Sequence, residues 1–254
     1  MAIIGSNPAL GRVQRLGATT ETVDVASYGG IAGKSIYFVL LTFIAALTSF
    51  FGTVPLIETG NSGVVVGLLI GSAIVSIVSA FVAMLAPGTT KIAGSVYAIF
   101  EGFLVGFSSL MFAALGFQGE VFAALFATIS VFAVMMVLYA TGIIRVGSGF
   151  KKFMVSALIG LVLVNLIMWI SSLFSPALYV IFYGNGFFSI IISVIMVIFA
   201  SLMILFDLNR MTEIVTAGLG KKYEWIAAFG LLLTLVWLYL EFLRLFAKIA
   251  SRKK

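Results

Sequence analysis

Three carboxylates sit where hydrocarbon is expected. Asp207 lies in SLMILFDLN, Glu241 in VWLYLEFLRLF, and Glu101 in VYAIFEGFLVGFSS. A carboxylate inside a bilayer is costly unless it is protonated, paired or wetted, so each acid is a candidate for handling protons or cations. Arg244 follows Glu241 by one helical turn on the same face and can neutralise it. Asp207 has Asn209 and Arg210 beside it. A structural role is open to each acid. Glu101 can bond a serine or backbone group on a neighbouring helix, Asp207 can snorkel to the interface, and Glu241 can simply pair with Arg244. The chain has no histidine and no cysteine. That removes Ser-His catalysis, HExxH zinc sites and thiolate chemistry. No enzymatic activity and no bound cofactor are expected. AGLGKK at 217–222 lacks the spacing of a phosphate loop, and no strand precedes it.

These acids must be positioned by a membrane bundle. Of the 254 residues, 62% are hydrophobic and 9% charged, whereas soluble domains carry roughly 25% charged residues. The fold class is all-α, a polytopic membrane helix bundle. Seven apolar stretches reach the length of about 20 residues that a span needs: Ile36–Leu56, Gly63–Ala86, Ala93–Phe117, Val121–Ile144, Phe153–Phe174, Phe187–Leu208 and Trp225–Phe246. Residues 1–34 read as a flexible cytoplasmic tail without a signal peptide, 35–247 as the membrane domain, and 248–254 as a basic C-terminal tail. The net charge of +6 is a topology signal and not a nucleic-acid footprint. The N-terminal tail and the second, fourth and sixth loops hold ten Lys and Arg residues, and the other loops hold none. This pattern puts the N-terminus in the cytoplasm. The basic tail breaks it, because seven crossings would leave Lys248, Arg252, Lys253 and Lys254 outside. Either the last segment is short, bent or re-entrant, or the tail is an exception.

Depth follows from counting. Asp207 falls near the cytoplasmic end of the sixth segment, and Glu101 lies roughly 12 Å into the third. The two can share a layer. Glu241 falls about 25 Å along the seventh segment. It reaches Asp207 only if that segment starts inside the bundle, re-enters or bends, with Gly230 as the hinge. Gly67–Gly71 and Gly102–Gly106 are small-residue pairs suited to close packing inside the bundle. Asn165 is suited to an interhelical hydrogen bond. Tyr223 and Trp225, beside Lys221 and Lys222, read as an interface anchor.

Three pieces, in order, resemble the bacterial branch of the Bax inhibitor family. NPAL at Asn7–Leu10 is similar to an N-terminal signature. YAIFEGFLVG at Tyr97–Gly106 resembles a glutamate-glycine motif. FDLNRMTEIV followed by WLYLEFLRLF resembles a closing pair of acidic helices. The resemblance implies seven helices with the last one central, in a bacterial inner membrane. It also implies a calcium leak governed by pH, with no cofactor. The gate it implies is the pair Asp207 and Glu241, which would also form a weak transit site for Ca²⁺; Glu101 corresponds to the earlier motif. Glu101, Arg244 and Arg210 would supply the supporting polar network. The chain departs from the pattern in carrying Glu in place of Asp at 241, and in a longer stretch between the two acids. Two carboxylates in one poorly hydrated site cannot both ionise cheaply. A shared proton holds them together; its loss frees oxygens for a cation, of which Ca²⁺ takes about 6–8.

Other readings use the same residues. A proton-coupled transporter would use the acids as a relay, but no internal repeat is visible and only four prolines exist. An intramembrane aspartyl protease would need a GxGD context, and Asp207 follows Ile204, Leu205 and Phe206. A non-catalytic regulator binding a membrane protease or another membrane protein is the third. The expected partners are the lipid bilayer, Ca²⁺ and protons, with a membrane protein in the regulator reading and no nucleic acid in any.

Overall fold

The computed structural model describes residues 24–173, 184 and 186–252. The NPAL signature lies outside them. Eight helices follow in order: α1 (Tyr28–Gly52), α2 (Val54–Glu58), α3 (Ser62–Leu85), α4 (Thr90–Ala114), α5 (Gln118–Ala140), α6 (Ser148–Ser172), α7 (Phe187–Thr216) and α8 (Lys222–Ser251). Pro55 restarts the chain as α2 after a break at Thr53, since proline has no N–H to continue the ladder. The stretch Tyr28–Glu58 forms one span, and with the six other long helices the chain has seven able to cross a membrane. It is a polytopic helical bundle.

The outer face is apolar and the inner face is not uniformly so. Ile36, Phe81, Phe126 and Val162 are each about 60% exposed or more, as lipid-facing side chains must be. Serines and threonines, among them Ser76, Ser193 and Thr234, are buried. α8 is the central element: it packs against α7, α5, α1, α4 and α3. Phe229 of α8 meets Phe38 and Tyr97 edge-on, with ring centroids 6.1 and 5.2 Å apart. α4 lies directly on α1 because Gly102 and Gly106 have no side chain. A Cβ at Gly106 would sit 2.0 Å from the Ala46 carbonyl oxygen, and one at Gly102 would sit 2.5 Å from that of Thr42. Gly67 and Gly71 are different: a Cβ at either meets nothing within 4 Å. They do not pack this bundle, and the expectation for that pair is corrected. The helix α6 is peripheral, resting on α7 through Met154, Phe199 and Met203.

α1, α7 and α8 run past the apolar stretches assigned to them, whereas α3 to α6 end one to four residues before theirs do. α1 begins at Tyr28, so residues 28–34, read as tail, are helical. α7 continues to Thr216 because Met211 and Ile214 stay buried after the apolar run ends. Asp207 is therefore nine residues inside its helix, not at its end. α7 closes in a tight turn in which Gly218 takes φ 63° and Leu219 N–H bonds the Ile214 carbonyl, a left-handed cap that glycine adopts without strain. α8 is an unbroken helix of 30 residues, about 45 Å long against a hydrocarbon core of about 30 Å. It starts beside the segment preceding α1 and ends beside the start of α7. It is neither short nor re-entrant, so Lys248 and Arg252 lie at the end of the bundle opposite Asp24. Lys248, assigned to the tail by composition, is inside this helix. We call the Asp24 end the near end and the Lys248 end the far end.

Candidate functional site

Asp207 is only 7% exposed and faces a notch on α8. Thr234 donates its hydroxyl to Asp207 Oδ2, and a Cβ at Gly230 would stand 3.6 Å from Oδ1. Gly230 and Thr234 are one turn apart, so one face of α8 supplies both the space and the donor. Gly230 leaves room for the acid and does not interrupt the helix. Among the described residues no cation touches Asp207. Arg210, one turn on, is exposed and makes no ion pair.

Glu241 is 2% exposed and satisfied within its own helix. Trp237 Nε1 donates to its Oε1 at 2.9 Å, and Arg244 Nη1 stands 3.2 Å from the same oxygen. These partners sit four residues before and three after, on one face. The pairing with Arg244 that the sequence suggested is present. Asp207 and Glu241 share no hydrogen bond. The Asp207 partner Thr234 precedes Glu241 by seven residues, about 10 Å along the axis. The single shared-proton site is thus not assembled in this structure. Its physical obstacle is the continuity of α8, an unbroken helix that sets the Asp207 partner Thr234 and Glu241 two turns apart.

Glu101 accepts a hydrogen bond from Ser76 of α3, the structural role open to it from the sequence. α4 and α8 run side by side in the same direction: Gly94 abuts Phe229, and Ser109 bonds the Tyr239 hydroxyl at 2.7 Å. Glu101 lies between those levels, near the depth of Thr234, so it shares a layer with Asp207. Among the described residues no three acidic side chains gather into a metal site. Asn165 donates to the Leu161 carbonyl of its own helix at 2.8 Å.

Two ionic features escape a reading confined to the apolar runs. At the near end, Glu224 is 1% exposed. It accepts from Ser27 N–H at 2.8 Å and pairs with Lys34. Trp225 next to it takes the Lys34 and Lys91 ammonium groups over its ring at 5.2 and 5.6 Å. At the far end, Lys248 is 7% exposed and donates to Ser189 Oγ at 2.6 Å and Ser193 Oγ at 2.9 Å. Spacing carried a signal for Lys248, which follows Arg244 by four and Glu241 by seven, all on one helical face. Nothing local marked Glu224, whose partner is 190 residues away.

A seven-span bundle around a central helix, with carboxylates buried among its apolar helices, defines an integral multi-pass membrane protein. The family model described as Bax inhibitor 1 like matches residues 7–251. The chain belongs to that family. A search of curated proteins finds no match.

Proposed function

We propose that the protein is a pH-sensitive calcium leak whose path follows α8 past Asp207 and Glu241. The observation that carries this reading is Asp207: a carboxylate nine residues inside its helix, 7% exposed, held against the central helix by the Thr234 hydroxyl and, among the described residues, bonded to no cation. Intramembrane acids of this kind mark ion and proton paths. Asp207, the Thr234 hydroxyl and the Gly230 carbonyl put three oxygens in one notch, with Thr234 Oγ1 3.3 Å from the Gly230 oxygen. Water would complete the six to eight that Ca²⁺ takes. A set this sparse binds weakly, which suits conduction.

In this reading the arrangement described is the closed state. Thr234 occupies Asp207, and Arg244 with Trp237 occupies Glu241. A cation passes when each acid exchanges its internal partner for the ion. The two carboxylates then act in series, and Glu101 and Arg210 tune the local field. Protonated acids have little affinity for Ca²⁺, so flux rises as pH rises and the acids ionise. The reading involves no catalytic step and no cofactor; Ca²⁺ is cargo. By the distribution of Lys and Arg, the near end faces the cytoplasm of a bacterial inner membrane.

Reconstitution tests this directly. Ca²⁺ entry into dye-loaded vesicles is expected to exceed that of empty vesicles and to rise from pH 5 to pH 8. Asp207→Asn is expected to flatten the pH curve. Flux equal to empty vesicles at every pH would remove the leak, and an unchanged curve in Asp207→Asn would remove this acid from it.

A further inference from the structure

The far end of the molecule contains a cleft beside the proposed leak path, which shares Arg244 with it. It holds about 620 Å³ and lies between the ends of α4, α6 and α8. Its polar wall is Arg244, Lys248 and Ser251 of α8 with Asn165 of α6; Phe112 and Trp169 are prominent on its apolar wall. Arg244 and Lys248 are one turn apart, so one face of α8 brings two cations to it.

The charges here do not cancel. Glu241 stands against Arg244. The hydrogen bonds of Lys248 go to serine oxygens of α7, with no carboxylate among its ion pairs in the described residues. Glu120, the nearest acid on α5, packs near Phe246, Ile249 and Ala250 in a separate hollow. Residues 174–186, which join α6 to α7, contain no Asp or Glu in the sequence. Among the described residues Glu241 is the one acid whose charge reaches both Arg244 and Lys248, so two cations face one carboxylate. The excess charge is costly where water is scarce, and an anion in the cleft would offset that cost.

We propose that this cleft binds the anionic headgroup of a membrane lipid, with an acyl chain lying against Phe112 and Trp169. Three observations favour a lipid over a dissolved anion. The cleft is walled by membrane helices. Among the described helices α6 has close backbone contact with α7 alone, so it stands off from α4 and α8 across the cleft. Trp169 is 64% exposed and lies about 32 Å along α6, at the depth where interfacial tryptophans sit. Basic pockets between membrane helices recognise headgroups by this combination of charge and lateral access.

Tryptophan quenching by brominated lipids reads this out. The protein is reconstituted with brominated phosphatidylglycerol or brominated phosphatidylcholine at equal mole fraction. The anionic lipid is expected to quench with a preference of about fivefold in apparent affinity, the effect of roughly one net cation. Lys248→Gln should bring the preference to the phosphatidylcholine level. Lys248→Arg, which keeps the charge, and Arg252→Gln, which removes a cation outside the cleft wall, should retain it. If Lys248→Gln does not fold, Arg244→Gln carries the test and should weaken the preference. Equal quenching by the two lipids overturns the proposal, as does full preference in the Gln variant. Inorganic phosphate at millimolar concentration should leave the preference intact; its loss would assign the cleft to a free anion and overturn the lipid.

Discussion

The two ends of α8 solve the same problem in opposite ways. At the near end a buried acid, Glu224, is met by Lys34, Ser27 and the backbone before α1. Every strong demand of that carboxylate is filled by residues from a distant part of the chain, and the result is a clasp. Ala26 N–H also bonds the Leu219 carbonyl at 2.7 Å, and Lys221 N–H bonds that of Asp24 at 2.8 Å. The start of α1 is thereby tied to the turn that joins the two acid-bearing helices. At the far end a buried cation, Lys248, is met by two serine hydroxyls and a carbonyl. Those groups satisfy its protons, while its charge is met, among the described residues, only by Glu241, which Arg244 already engages. The difference teaches which end is built for stability and which retains capacity for a ligand. Between them lie Asp207, held by a hydroxyl, and Glu241, held by its own helix.

The comparison breaks most visibly at Glu224. Glu224→Gln leaves the partly buried Lys34 without its counter-charge and should lower unfolding stability in detergent by about 3 kcal/mol, the lower end for a broken buried pair. Thermal melts of the purified protein measure it, and a melt unchanged from wild type would make the clasp ornamental. Gly30→Ala attacks the same end without altering charge. Its Cβ would fall 2.2 Å from Glu224 Oε1, so the carboxylate must move and about 2 kcal/mol should be lost. The far end should respond with the other sign. Lys248→Met replaces a buried, only partly compensated charge with an apolar side chain of similar length, and Ser189 and Ser193 can turn to carbonyls of their own helix. A gain of about 1 kcal/mol is expected, together with loss of the preference for anionic lipid. A destabilised Lys248→Met would mean that the two ends do not differ as described. The smallest effect is at the rim of the clasp. Lys221 and Asp24 are exposed, and Lys221→Ala should leave the melt unchanged. The hydrogen bond to Asp24 and that carboxylate's charge hold the Lys221 ammonium above its ordinary range. A raised lysine contributes in full below its unfolded value and loses that contribution only as pH rises through the folded one. Melts between pH 5 and 8 should therefore show no step from this pair.

The bundle was legible in the sequence because hydrocarbon leaves few options: long apolar runs must be helices, and the seven runs all became spans. The acids were legible for the same reason, since Asp207, Glu101 and Glu241 stand out against apolar neighbours. The Arg244 partner of Glu241 was visible because helical spacing is local. The partners of Asp207 and Glu101 were not, because Thr234 and Ser76 are chosen by packing between helices. The helix ends were read from hydropathy alone, so α1, α7 and α8 extend beyond their apolar runs and α3 to α6 stop short of theirs. Amphipathic turns such as those holding Met211, Ile214 and Lys248 stay helical after hydropathy falls. The same oversight hid both ends of α8, where the charged residues belong to the helix and not to the tails. The two glycine pairs looked alike in sequence, and only the contact between α4 and α1 distinguishes Gly102 and Gly106 from Gly67 and Gly71.

The central claim is that Asp207 and Glu241 act in series, each released from its own partner. Ca²⁺ flux into vesicles, measured from pH 5 to 8 for wild type, Asp207→Asn, Glu241→Gln and the double variant, tests it most directly. Two separate steps predict that each single variant removes a different part of the pH curve and that the double variant removes both. Single and double variants with one identical curve would contradict the account, because they would show the two acids titrating as one shared site.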